Sequence, residues 1–188
     1  MSHLWSMVAA AFQRLEAQAG FETRPVQRAM AQFICERLES KSSGMVEAPT
    51  GVGKSLAALL PAVAYCLQEK KRIVISTYTN VLAEQYWRND LPLALSLFPT
   101  APSVALAMGR SRYACIDAIR SPKLKQAMPE MARYLQEWVG IAQEGTDTEL
   151  SAFLRRKGIP APLRRSAWET VATPHACRAR MCPYYSLC

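Results

Sequence analysis

Apolar residues at Leu4, Trp5, Val8, Phe12 and Leu15 recur at helical spacing, as do Val26, Met30, Phe33, Ile34 and Leu38. Such spacing puts each set on one face, so the pattern predicts two amphipathic helices separated by Gly20 to Arg24. Pro25 suits the first turn of the second helix. After a polar turn at Lys41 to Gly44, Met45 to Ala48 reads as a short strand, Pro49 to Gly53 as a loop, and Lys54 to Gln68 as an apolar helix. Pro61 lies inside that helix and should kink it or cost it a hydrogen bond.

Arg72 to Thr77 (RIVIST) is a β-branched run of the kind buried on both faces of a sheet. A helix from Asn80 to Trp87 and a third strand from Ser103 to Met108 follow. Strands alternating with helices imply an α/β fold with a parallel sheet up to about Gly109. Beyond it the pattern predicts helices only, at Leu124 to Gln143, Thr148 to Lys157 and Pro162 to Val171. The expected organisation is thus an α/β domain over residues 1–109 and a mostly helical domain over 110–188, with no internal repeat.

The 188 residues are half hydrophobic, which suits a globular chain with one substantial core and room for a second small one. The net charge of +8 is uneven. Residues 1–109 carry ten basic and eight acidic side chains, and residues 110–188 carry thirteen and seven. A basic surface attracts phosphates and gains entropy by releasing condensed counterions, so the C-terminal part suits a polyanionic partner. No apolar run reaches the roughly eighteen residues of a membrane span, and the N-terminus lacks a signal-peptide pattern. The expectation is a cytoplasmic protein with no membrane partner.

Ala48-Pro49-Thr50-Gly51-Val52-Gly53-Lys54-Ser55 departs from G-x-x-x-x-G-K-[ST] only in starting with alanine. Gly51 and Gly53 let backbone N–H groups converge on phosphate oxygens, and the following helix N-terminus adds partial positive charge. Lys54 is expected to reach the β and γ phosphates of ATP and Ser55 to hold Mg²⁺. A chance glycine-rich turn is the bland alternative, but the flanking strand and helix are those the chemistry needs.

Six cysteines in a reducing compartment suit metal or redox chemistry better than disulfides. Cys177-x4-Cys182-x5-Cys188, with Cys115 in Gly109-Arg110-Ser111-Arg112-Tyr113-Ala114-Cys115, supplies four soft thiolates. Zinc sites favour tight C-x-x-C knuckles, whereas loosely spaced cysteines suit a larger [4Fe–4S] cube. Zinc and unligated thiols remain the alternatives. Cys35 and Cys66 sit on apolar helical faces and read as small core residues. His175 lies near Cys177, but four cysteines already complete a site.

The stretch Glu47 to Ser55 (EAPTGVGKS) resembles the first motif of superfamily 2 helicases, A-x-T-G-x-G-K-[ST]. Phe21-x-x-Arg24-x-x-Gln27 resembles their adenine-recognition element, in which an aromatic ring or arginine packs the base and a glutamine amide bonds its edge. The bland reading of Phe21 is a helix cover and of Arg24 a solvated side chain. Ser76-Thr77-Tyr78-Thr79-Asn80 through Glu84-Gln85 resembles the family's motif Ia, which holds single-stranded DNA phosphates; for Ser76, Thr77 and Asn80 helix capping is the common alternative.

The G-R-x-R-Y-x-C element, the long helical insertion and the cysteines four and five residues apart resemble the DinG branch of the XPD/Rad3-like iron–sulfur helicases. That resemblance implies a RecA-like parallel sheet with a helical iron–sulfur insertion. It also implies 5′ to 3′ translocation on single-stranded DNA and unwinding of forked duplex or R-loop DNA. Repair, plasmid and type IV CRISPR-associated settings all fit it, with nucleoid or plasmid association in a bacterium, a monomeric state and repair or CRISPR effector partners. Arg110 and Arg112 would contact DNA phosphates, and Tyr184 and Tyr185 would either stack on bases or cover the cluster. The family's D-E-x-H box has no counterpart, since no Asp-Glu pair occurs in the chain. An N-terminal portion of a longer helicase, inactive alone, is therefore expected. The rivals are a P-loop phosphotransferase with a zinc clip and a nucleotide-dependent DNA-binding or assembly module without motor activity.

Overall fold

The computed structural model describes residues 2–18, 20–21, 24–174 and 177–187. The chain divides into two compact units, Met1–Leu106 and Ala107–Cys188.

In the first unit, α1 (His3–Glu16) follows Ser2, whose hydroxyl accepts the Trp5 N–H at 3.2 Å and so caps the helix. Its stripe of Leu4, Val8, Ala11, Phe12 and Leu15 is buried. Helix α2 (Pro25–Ser40) has proline in its first turn and ends at Lys41 in the left-handed region. Helix α3 (Lys54–Glu69) packs against both. It runs through Pro61, which is buried within its apolar stretch, so packing outweighs the hydrogen bond that proline cannot donate. Helix α4 (Asn80–Gln85) passes through a π turn at Tyr86–Asp90 into α5 (Leu91–Ser96), and α5 also packs on α3.

The expected parallel sheet is not there. Among the described residues the only β contacts are two isolated antiparallel bridges, Tyr113↔Thr146 and Ala114↔Ala172, and none of the three expected strands is laddered. Met45 is 95% exposed and Val74 83%. β-branched sequence reports how well a residue fits a pleated, half-buried surface, and it forms a strand only where a neighbour supplies hydrogen bonds and packing. Residues 45–48, 72–77 and 103–108 pair with no neighbouring strand among the described residues. Among the described residues the first unit is a helical packing of α1, α2, α3 and α5 without the RecA-like sheet.

The second unit holds α6 (Ile116–Ile119), α7 (Pro122–Ala127), α8 (Pro129–Val139), α9 (Asp147–Arg156) and α10 (Ala161–Val171). They close over Ile119, Leu135, Trp138, Leu150, Phe153, Leu154 and Val171. The single helix expected over Leu124 to Gln143 is broken at Met128, whose φ of −142° is far from helical. Pro129 causes this, because its ring disfavours the α region for the residue before it. No described helix is long and apolar enough to cross a membrane.

Glu149 organises the approach to α9. Its carboxylate accepts the N–H groups of Gln143, Glu144 and Gly145 at 2.8, 3.1 and 2.8 Å, while Thr146 caps the helix by accepting the Glu149 N–H at 3.3 Å. Glu149→Ala should orphan three amides. The expected cost is about 1–3 kcal/mol, read as a lower urea midpoint.

Candidate functional site

The loop from Ala48 to Gly53 leads straight into α3. Gly51 and Gly53 have φ of 83° and 81°, a conformation open to glycine and strained for other residues. The Gly53 carbonyl accepts the Ala57 N–H at 3.1 Å, the first turn of α3. Lys54 curls back over the loop, and its Nζ donates to the Ala48 and Pro49 carbonyls at 3.0 and 2.8 Å. Its ammonium is exposed, so a phosphate can replace those carbonyls without a new charge being buried.

Two residues from the α2 end brace this loop. Arg24 Nη1 donates to the Gly51 carbonyl at 2.8 Å, and Gln27 Nε2 donates to the Gly53 carbonyl at 2.9 Å. Gln27 is 1% exposed, a rare polar side chain in an otherwise apolar interior. Thr50 is exposed, while Val52 and Ser55 are half-buried in the loop. The structure therefore brings Arg24, Gln27, Gly51, Gly53 and Lys54 together. Phe21 packs against the helical core of the first unit.

Ser76 and Asn80 are exposed at the start of α4. The Thr77 hydroxyl donates to the Thr79 carbonyl at 3.1 Å, and Thr79 Oγ1 accepts the Leu82 N–H at 3.2 Å. Thr79 is thus the cap, rather than Ser76, Thr77 or Asn80. A hydroxyl residue directly before an apolar helix is the signal that marks it.

In the second unit, residues 113–115 are clasped from both sides. Ala114 N–H donates to Gly145 at 2.8 Å, Cys115 N–H to Val171 at 2.6 Å, and Thr173 N–H back to Tyr113 at 2.9 Å. Arg112 is ion-paired with Asp147 at 2.8 Å, so its guanidinium holds this clasp, whereas Arg110 is exposed. Arg178 pairs with Asp117 at 2.9 Å, and the Arg120 guanidinium stacks 5.0 Å from the Tyr184 ring centre. Neighbours of Cys115 thus touch neighbours of Cys177 and Cys182.

Cys115, Cys177 and Cys182 are half-buried free thiols, and the Ala179 N–H points at Cys177 Sγ at 3.5 Å. That donor chemistry fits a thiolate-bound metal centre, whose sulfurs accept backbone hydrogen bonds. No group of three or more potential metal ligands converges among the described residues. Cys188 and His175 lie outside those residues. Cys66 is half-buried; Cys35 is buried in the core, where desolvation and then Glu39 and Glu36 push its thiol up to about 12 and keep it protonated.

A family model described as DEAD/DEAH box helicase matches residues 24–143, a span that begins at the loop-bracing arginine and includes the whole phosphate loop. The chain belongs to the DEAD/DEAH box helicase family. Within the family it falls in the DinG-like branch. It is 30% identical over 183 residues to the ATP-dependent DNA helicase YoaA of Escherichia coli K12, covering 94% of this chain and 27% of the relative. It is 36% identical over 115 residues to the ATP-dependent DNA helicase DinG of the same strain, covering 60% and 16%. It is also 34% identical over 101 residues to the 3'-5' exonuclease DinG of Bacillus subtilis 168, covering 54% and 11%. The chain thus spans about a quarter or less of these relatives' lengths.

In this helicase-family loop, Gly53 is the position least able to change. A Cβ there would strike the Gln27 side-chain amide, and the positive φ adds strain. Gly53→Ala should cost about 1–2 kcal/mol from the left-handed backbone alone and push Gln27 off its carbonyl. A lower melting temperature and roughly tenfold weaker binding of an ATP analogue are the expected readouts.

Proposed function

We propose that the chain is the ATP-binding and iron–sulfur portion of a DinG-type, ATP-dependent DNA helicase that moves 5′ to 3′ on single-stranded DNA and opens duplex or R-loop DNA. The observation that carries this reading is the braced loop, with Lys54 closing its carbonyls and Arg24 and Gln27 holding its glycines.

Phe21, Arg24 and Gln27 form the adenine side of the site. Thr50, Gly51, Val52, Gly53 and Lys54 surround the phosphates through backbone N–H groups and the ammonium, and Ser55 would hold Mg²⁺. When bound, the metal offsets charge on the β and γ phosphates. Cys115, Cys177, Cys182 and Cys188 would hold a [4Fe–4S] cluster acting as a structural pin. Ser76, Thr77, Asn80, Arg110 and Arg112 are the proposed DNA-phosphate contacts, Arg112 being also paired with Asp147. The setting is the bacterial cytoplasm, in repair or in plasmid or CRISPR-associated processes.

The absence of any Asp-Glu pair in these 188 residues favours a second property. Such a pair positions magnesium and the attacking water, so the chain by itself binds ATP and turns it over at a negligible rate. Competition against a fluorescent ATP analogue tests the site, with ATP displacing it well and GTP poorly as the resemblance of Phe21, Arg24 and Gln27 to an adenine-recognition element implies. Equal displacement by GTP would remove the adenine assignment and favour a general P-loop phosphotransferase.

A further inference from the structure

The second unit contains a cavity of about 400 Å³ that no role above uses, lined by Ile119, Arg120, Lys125, Gln136, Val139 and Tyr184. That volume lies within the roughly 300–1,000 Å³ of small-molecule sites. Among the described residues its walls carry two cations and no carboxylate. Among the described residues neither Arg120 nor Lys125 is in an ion pair. On the flanking helices Asp117 is engaged by Arg178 at 2.9 Å and Glu137 by Lys157 at 2.6 Å, and Glu130 of α8 is not among the lining residues. Among the described lining residues, Arg120 and Lys125 face no carboxylate.

Beside those charges stands a flat surface, the Arg120 guanidinium stacked on the half-buried Tyr184 ring. Val139 adds an apolar side chain to the lining, and the Gln136 amide can both donate and accept. An anion with a planar aromatic part and polar edges matches all of these at once. Bases stack on aromatic rings and guanidinium planes, phosphates pair with unengaged cations, and an amide can bond a base edge.

We propose that this cavity holds one nucleotide of single-stranded DNA, its base on the Arg120–Tyr184 stack and its phosphate at Lys125. The inference rests on the DNA-helicase reading and gives it a specific binding point away from the phosphate loop.

The test uses the full chain, purified anaerobically, with a fifteen-residue oligothymidylate carrying iodouracil. Irradiation should crosslink the oligonucleotide to the peptide containing Tyr184, as mapped by mass spectrometry. In fluorescence anisotropy, Tyr184→Ala should weaken binding roughly tenfold while Tyr184→Phe, which keeps the stacking face, binds like the parent. The double variant R120A/K125A should lower the log–log salt slope by about 0.7 for each DNA phosphate it no longer neutralises. Crosslinks on the unaltered chain that avoid the Tyr184 peptide, with oligonucleotide binding intact, would overturn the cavity and leave the helicase reading standing. Better protection of Tyr184 by free thymidine monophosphate or ATP than by the unmodified oligonucleotide would overturn the single-strand assignment. A chain that binds no oligonucleotide would remove the DNA reading and the cavity together.

Discussion

Lys54→Ala should remove the proposed ATP binding. The ammonium is the only side-chain cation in the loop, and it already sits within 3.0 Å of the Ala48 and Pro49 carbonyls, poised where the β and γ phosphates are expected. Truncating one partner of a close charge pair costs about 2–5 kcal/mol, or roughly thirty- to several-thousandfold in Kd. The fold should not suffer. Lys54 is exposed, and α3 is held by Leu56, Leu59, Leu60 and Val63 on its buried face. An unchanged melting temperature together with abolished binding in calorimetric titration is the expected pair of results. Lys54→Arg retains charge but not the compact ammonium, so it should restore binding only in part.

Cys115→Ser should empty the proposed metal centre. Cys115 is the distant member of the proposed ligand set, and its backbone is fixed independently of its sulfur by bonds from its own N–H to Val171 and from Ala114 to Gly145. Serine therefore leaves the clasp intact and removes one soft ligand. Anaerobically purified parent protein should be brown, absorb near ~400 nm and carry about four iron atoms per chain; the variant should be pale and nearly iron-free. Stoichiometric zinc in a colourless parent would replace the cluster with a zinc clip. Retention of iron by the variant would exclude Cys115 as a ligand.

Helical periodicity is legible in the sequence because it is local. Leu4, Val8, Phe12 and Leu15 share a face at any tertiary arrangement, and the same stripe is buried in α1. The phosphate loop is legible for a similar reason, since the glycines, Lys54 and the start of α3 are contiguous. The strands are not. RIVIST specifies a preference for a pleated surface but no partner, and the exposed Val74 shows how little that preference decides alone. The break at Met128 is written in Pro129, but the apolar spacing that continues across it reads as one helix. The engagement of Arg112 by Asp147 and of three amides by Glu149 join residues across folded turns, where spacing carries no signal.

Hydrogen exchange with and without a non-hydrolysable ATP analogue and Mg²⁺ tests the central claim most directly, because it locates the nucleotide on the chain. Slowed exchange at the amides of Gly51 to Ser55, together with the Arg24 to Gln27 region that braces them, is the predicted result. Unchanged exchange at those amides under saturating nucleotide would contradict it.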